Sequence, residues 1–266
     1  MRVERITISA ERENVYIDAY IADSIPNFKR KALLVIPGGG YGQVCSDREG
    51  EPIAMAFMPY GYNAFVLHYT VDKKHTFPTQ CIEAASAVKY IKDHASELDI
   101  DPDQLFTVGF SAGGHLSASI GVFWKLDEVQ NALGVPHDYI KPKGTMLIYP
   151  VISPEYRGMT FNNLWATDSL TDEQKRSSDI AVNIDSDSSP AFILHTANDQ
   201  IVDINNALAA AAAYAKAGVP FELHVFPDAP HGVALGNKIT ECGNEKWNRP
   251  AIAEWVKMAA YWAEHI

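Results

Sequence analysis

Cysteine is scarce in this chain: Cys45, Cys81 and Cys242 are the only three in 266 residues. They form no CxxC pair and no His/Cys cluster at metal-ligand spacing, which argues against a thiol-redox centre and a zinc site. So sparse and odd a count provides no disulfide framework and fits a reducing compartment. Long apolar runs are lacking too, and none approaches the length that spans a bilayer. The opening residues MRVERITISAERENVYIDAYIA alternate in polarity and carry charge. They lack the apolar core of a secretory leader, so a cytoplasmic location is expected. Positive charge is in deficit, with 22 Lys and Arg against 33 Asp and Glu, a net charge of −11. A surface this acidic repels phosphodiester backbones and anionic lipid, so neither nucleic acid nor membrane is an expected partner. No pair of carboxylates stands out as a glycosidase couple. There is no internal repeat and no low-complexity linker.

What is present is an ordinary globular composition, 47% hydrophobic and 21% charged. The length suits a single α/β domain over residues 1–266. Short β-branched runs alternate with helical patterns, the signature of a mostly parallel sheet with helices on both faces. Residues 2–9 and 14–21 alternate in polarity and read as an antiparallel pair at one edge. Residues 32–36 (ALLVI) form a solid apolar run, as in a strand covered on both sides. Further strands are expected at 64–69, 105–109, 145–149, 191–196 and 221–226, about eight in all. Helices are expected at 78–97, 111–123, 205–216 (closed by Gly218) and 247–265. Residues 151–189 are rich in Ser, Asp and Asn. They read as an irregular insertion near the site, too short for a second domain.

Four segments carry candidate chemistry, each beside a predicted strand end. Gly109-Phe110-Ser111-Ala112-Gly113 is a GxSxG pattern, which chance alone gives to roughly one chain in ten of this length. Its placement on a sharp strand-to-helix turn is more informative, because that turn strains the serine and lifts its hydroxyl out of the sheet. Pro37-Gly38-Gly39-Gly40-Tyr41 follows the apolar strand. Its glycines let backbone N–H groups approach a developing oxyanion, with Gly39, Gly40 and Ala112 as the expected donors. A serine needs a base, and His231 lies in the loop after the last strand. The imidazole in turn needs an orienting carboxylate. Asp199, just past the seventh predicted strand, is favoured over Asp203, which suits a helix N-cap, and over Asp228. His115, His68 and His195 read as packing or hydrogen-bonding residues.

The ordered set PGGGY, SDREGEP, GFSAGGH, TANDQIVD and FPDAPHG resembles the α/β-hydrolase esterases related to acetyl xylan esterases and dienelactone hydrolases. The resemblance runs from about Lys31 to the C-terminus. It implies an α/β-hydrolase fold with a triad of Ser111, Asp199 and His231. It also implies deacetylation of sugar esters. Two departures bear on specificity: Pro37 stands where lipase-like relatives have histidine, and residues 233–247 are polar and do not align by eye. The Arg48-Glu49 pair resembles a recurring element of the group and is expected to buttress the oxyanion loop.

The chemistry expected is two-step acyl transfer through an acyl-enzyme, with no metal or organic cofactor needed. The partner is a small-molecule ester with a short acyl group, and an acetylated xylo-oligosaccharide is one candidate. Alternatives are a generic carboxylesterase, a peptidase of the prolyl-oligopeptidase type, and a catalytically silent binding protein on the same scaffold. The C-terminal aromatics Trp247, Trp255, Tyr261 and Trp262 are expected in the core. Oligomeric state is not encoded in any pattern read above.

Overall fold

The computed structural model describes residues 1–9, 11–136 and 138–266. Eight strands form one sheet: β1 (Arg2–Thr7), β2 (Tyr16–Ile21), β3 (Arg30–Ile36), β4 (Tyr62–His68), β5 (Ile100–Phe110), β6 (Gly144–Ile148), β7 (Ala191–Thr196) and β8 (Phe221–Phe226). Their order is β1-β2-β4-β3-β5-β6-β7-β8. The β1/β2 and β2/β4 pairs are antiparallel, and every pair from β4 to β8 is parallel. This is the α/β-hydrolase architecture expected of the sequence.

The central strands are apolar throughout because both faces are covered. Along β3, Ala32, Leu34 and Ile36 enter one core while Leu33 and Val35 enter the other. The first core receives α3 (Thr79–Asp93), α4 (Ala112–Phe123) and α9 (Asn205–Ala217) through side chains such as Val88, Leu116 and Tyr214. The second receives α2 (Glu51–Phe57), which follows the one-turn α1 (Ser46–Glu49), and α11 (Trp255–Glu264), through Phe57, Trp255 and Trp262. Of the C-terminal aromatics, Trp255 and Trp262 are thus core, Trp247 is half-buried and Tyr261 is 66% exposed.

Tyr261 thus departs from the core position expected of it, and two further expectations need correction. The final helix is not continuous from 247: Glu245–Trp247 is a 3-10 turn, then come α10 (Pro250–Ala253) and α11. Asn248 is extended, Arg249 is kept out of the helical region by the proline that follows it, and Pro250 has no N–H to continue a helix. Residues 151–189 are not irregular. They hold α6 (Pro154–Leu164), α7 (Asp172–Ser178) and α8 (Ile180–Asn183), while α5 (Asp127–Leu133) precedes them. Their Ser, Thr and Asp residues serve as caps. Ser153 and Asp179 accept backbone N–H bonds, and Thr171 forms a reciprocal capping box with Gln174.

The connection leaving β3 runs to β4 on one side and the connection leaving β5 runs to β6 on the other, so the carboxyl ends of β3 and β5 flank a switch point of the winding. A crevice opens at such a point in parallel sheets. The glycine loop follows β3 there, and Ser111 follows β5.

Candidate active site

Ser111 joins β5 to α4 with φ 53° and ψ −117°. A non-glycine residue in this region stores on the order of 1–3 kcal/mol of strain, so its surroundings must hold it. Its N–H donates to the Ile148 carbonyl (3.1 Å), and its own carbonyl accepts from Val151 (3.0 Å) and His115 (3.2 Å). The turn closes only because its flanks lack side chains. A Cβ on Gly109 would lie 2.0 Å from the Gly113 carbonyl oxygen, and one on Gly113 would lie 2.1 Å from that of Ile36.

The His231 Nε2 lies 2.9 Å from Ser111 Oγ, and its Nδ1 lies 2.7 Å from Asp199 Oδ2. A carboxylate only accepts, so Nδ1 carries the proton and Nε2 presents its lone pair to the serine hydroxyl. The Asp199 side chain has no exposed surface. Its other oxygen accepts the N–H groups of Ile201 (2.8 Å) and Val202 (3.0 Å). Burial works against ionisation of Asp199. The bond and charge of His231, with the two N–H donors, outweigh it and hold the carboxyl below its usual range. The rival carboxylates are occupied elsewhere. Asp203 accepts from the Asn205 N–H (2.8 Å), and Asp228 accepts from the Asn198 side chain (2.5 Å).

The glycine loop packs against Ser111, since a Cβ on Gly38 would lie 3.0 Å from that of Ser111. The Gly38 N–H donates to Glu49 Oε2 at 2.8 Å. Gly39 and Gly40 both adopt positive φ, 126° and 65°. Their N–H groups and that of Ala112, the first residue of α4, have no acceptor among the described residues. The start of a helix carries partial positive charge, so Ala112 adds to an anion-attracting corner. The Asn163 side chain of α6 donates to the Gly40 carbonyl (2.8 Å), and the Tyr69 hydroxyl donates to that of Pro37 (2.8 Å).

The Arg48-Glu49 pair divides its work. Glu49 reaches the glycine loop, but Arg48 points elsewhere, because neighbours on a helix diverge by about 100°. Its guanidinium donates to the Gly232 carbonyl (3.1 Å) and lies 4.6 Å over the Trp247 ring. The Trp247 indole donates to the His231 carbonyl (3.2 Å), so both brace the histidine loop. Burial raises the Glu49 pKa. Bonds from Tyr149 and Gly38 and the charges of His231 and Arg48 pull against it.

His115 is buried beside the site with both nitrogens bonded. Its Nε2 donates to the Ser178 carbonyl (2.8 Å), and its Nδ1 accepts from the Tyr41 hydroxyl (2.8 Å). Burial lowers its pKa to about 4, against the pull of the Ser178 carbonyl. His195 is buried at the end of β7, and His68 stacks on Tyr16 at 4.2 Å. Sequence reasoning passed over Tyr149, whose ring lies edge-on to His231 at 5.0 Å, and Asn163. Neither carries a sequence signal, since Tyr149 ends an apolar strand and Asn163 is one of many polar residues in its segment.

The BD-FAE family model matches residues 17–213. Endo-1,4-beta-xylanase B of Butyrivibrio fibrisolvens is 36% identical over 214 residues, 79% of this chain and 33% of that protein. The next two curated relatives are likewise matched over only 42% of their length, so the chain spans a third to about two fifths of these proteins. Among solved structures, MGS-M1, an alpha/beta hydrolase from a Medee basin deep-sea metagenome library, is 32% identical with a TM-score of 0.80. The alignment covers 99% of this chain and 97% of that one. An acetyl ester-xyloside bifunctional hydrolase from Caldicellulosiruptor lactoaceticus is 27% identical with a TM-score of 0.81, covering 99% and 96%.

Proposed function

This chain belongs to the BD-FAE family, and on that premise we propose that it is a serine esterase acting on short-chain esters, acetyl esters of sugars among them. Ser111 is the nucleophile, His231 the base and acid, and Asp199 the carboxylate that orients the imidazole. The single observation that carries this reading is the continuous path from Ser111 Oγ through His231 to Asp199, at 2.9 and 2.7 Å.

In the first step Ser111 Oγ bonds to the ester carbonyl carbon and its proton passes to His231 Nε2. The carbonyl oxygen gains a negative charge, which the N–H groups of Gly39, Gly40 and Ala112 are free to receive. Collapse breaks the bond to the alcohol oxygen, which leaves with the proton from His231. Water then attacks the acyl-enzyme, again with His231 as base, and Ser111 and the carboxylic acid are released. Ser111 is only 9% exposed, which favours a small acyl group. A sugar as the alcohol part of the ester is supported by the acetyl ester-xyloside hydrolase that aligns over nearly the whole chain. The Asn163 contact to Gly40 supports a role for residues 151–189 in shaping access to the site.

Hydrolysis of 4-nitrophenyl acetate by wild type and Ser111→Ala tests the mechanism. A loss in kcat on the order of 10⁴-fold or more is expected. Full activity in the variant would overturn it. Acetate release from acetylated xylo-oligosaccharides tests the sugar-ester assignment separately.

A further inference from the structure

The serine-esterase mechanism assigns no task to Glu49 or Tyr149, yet both are buried beside the reacting groups. Glu49 is 3% exposed and Tyr149 is 1% exposed. Both carboxylate oxygens are engaged: Oε2 accepts the Gly38 N–H at 2.8 Å, and Oε1 accepts the Tyr149 hydroxyl at 2.7 Å. The Tyr149 oxygen in turn accepts the N–H of Ala234 at 3.1 Å, three residues beyond His231. A continuous chain of hydrogen bonds therefore runs from the glycine loop to the histidine loop. Tyr149 is itself held at φ 38°, just past β6.

The direction of these bonds fixes the charge. Backbone N–H groups only donate, so Gly38 must give its hydrogen to Glu49 and Ala234 must give its own to Tyr149. The phenol hydrogen then has one acceptor, Glu49. A protonated Glu49 would leave one hydrogen in this chain without a partner, so the arrangement suits the carboxylate. Arg48, whose charge acts on Glu49, spends its guanidinium on the Gly232 carbonyl and the Trp247 ring. Keeping a carboxylate buried with hydrogen bonds and no cation paired to it among the described residues is costly in stability. Its placement becomes intelligible at the moment of acyl transfer, when His231 turns cationic close enough to act on the Glu49 charge.

We infer that Glu49 and Tyr149 are positioning residues for acyl transfer. One buried carboxylate, acting through one phenol, holds the oxyanion loop and the His231 loop in register across Ser111. The inference rests on the serine-esterase reading and goes beyond it.

Kinetics of Tyr149→Phe, Glu49→Gln and the double variant on 4-nitrophenyl acetate provide the test, with thermal unfolding as the check on folding. Tyr149→Phe keeps the ring against His231 and removes only the bridging oxygen. Glu49→Gln keeps the shape and removes the charge. Each single change is expected to lower kcat about tenfold or more with KM within about twofold. The double variant should be no slower than the slower single, because both cut the same bridge. A kcat loss below about threefold in the folded variants, multiplicative losses, or a loss confined to KM would overturn the inference. If Glu49→Gln does not fold, Tyr149→Phe decides alone. If Tyr149→Phe does not fold, the bridge is a folding element and the inference fails. Failure of the esterase reading itself is seen separately, as equal activity of wild type and Ser111→Ala.

Discussion

Asp199 and Asp203 lie four positions apart, and only one of them reaches an imidazole. Asp199 spends one oxygen on His231 and the other on two backbone N–H groups, while Asp203 bonds to the N–H of Asn205 at the start of α9. The two substitutions should therefore separate cleanly. Asp199→Asn is expected to lower kcat on the order of 10⁴-fold, because an amide no longer holds the proton on Nδ1. Asp203→Asn should leave kcat unchanged and cost at most about 1 kcal/mol of stability. Kinetics and urea unfolding of both variants read the two effects, and a reversed pattern would move the acid to Asp203. At this scale the sequence was informative wherever chemistry restricts the residue type. Ser111, Asp199 and His231 each sit beside a predicted strand end, in the chain order that the resemblance to α/β-hydrolase esterases implies. Tyr149 and Asn163 were illegible because their roles come from long-range contacts, with Glu49 and Gly40, that leave no local pattern.

Helix α4 is the element on which the site turns. The N–H of its first residue has no acceptor among the described residues, and His115, one turn later, ties it to Tyr41 of the glycine loop and to Ser178 at the end of α7. With Nε2 donating and Nδ1 accepting, the neutral imidazole is satisfied on both sides, and a second proton would face the Tyr41 hydroxyl. The folded chain refuses that proton until about pH 4, whereas an unfolded histidine takes it near pH 6.5. Stability from this junction is thus fully present above pH 6.5 and is lost as pH falls toward 4, on the order of 3 kcal/mol in all. Urea midpoints between pH 7 and pH 4 should fall less steeply in His115→Gln than in wild type. Equal slopes would show that His115 does not gate acid stability. Strands were the most legible elements, because burial on both faces writes solid apolar runs such as ALLVI. The one-turn α1 and the helices of residues 151–189 were not, because α1 and α8 are too short to show a period, α7 is polar throughout and α6 is interrupted at Arg157. The apolar stripe of Ile252, Trp255, Val256 and Ala259 runs across the break at Glu254, so the pattern does not mark where the last helix begins.

At the scale of the whole molecule, one sheet divides two cores and brings four loops to its carboxyl edge. The loops after β3 and β5 flank the switch point, and those after β7 and β8 deliver Asp199 and His231 to the same place. Ser111 and His231, 120 positions apart, meet within hydrogen-bond distance because the parallel strands all end on one side. Composition alone could not show this convergence, but the alternation of strands and helices implied it. The most direct measurement is covalent trapping. The purified protein is treated with a fluorophosphonate, and the modified residue is located by peptide mass. The expected result is a single adduct on Ser111, formed as its Oγ bonds to phosphorus and fluoride leaves, with esterase activity lost in step. An unmodified Ser111 beside persisting hydrolysis, or an adduct on another residue that abolishes activity, would contradict it.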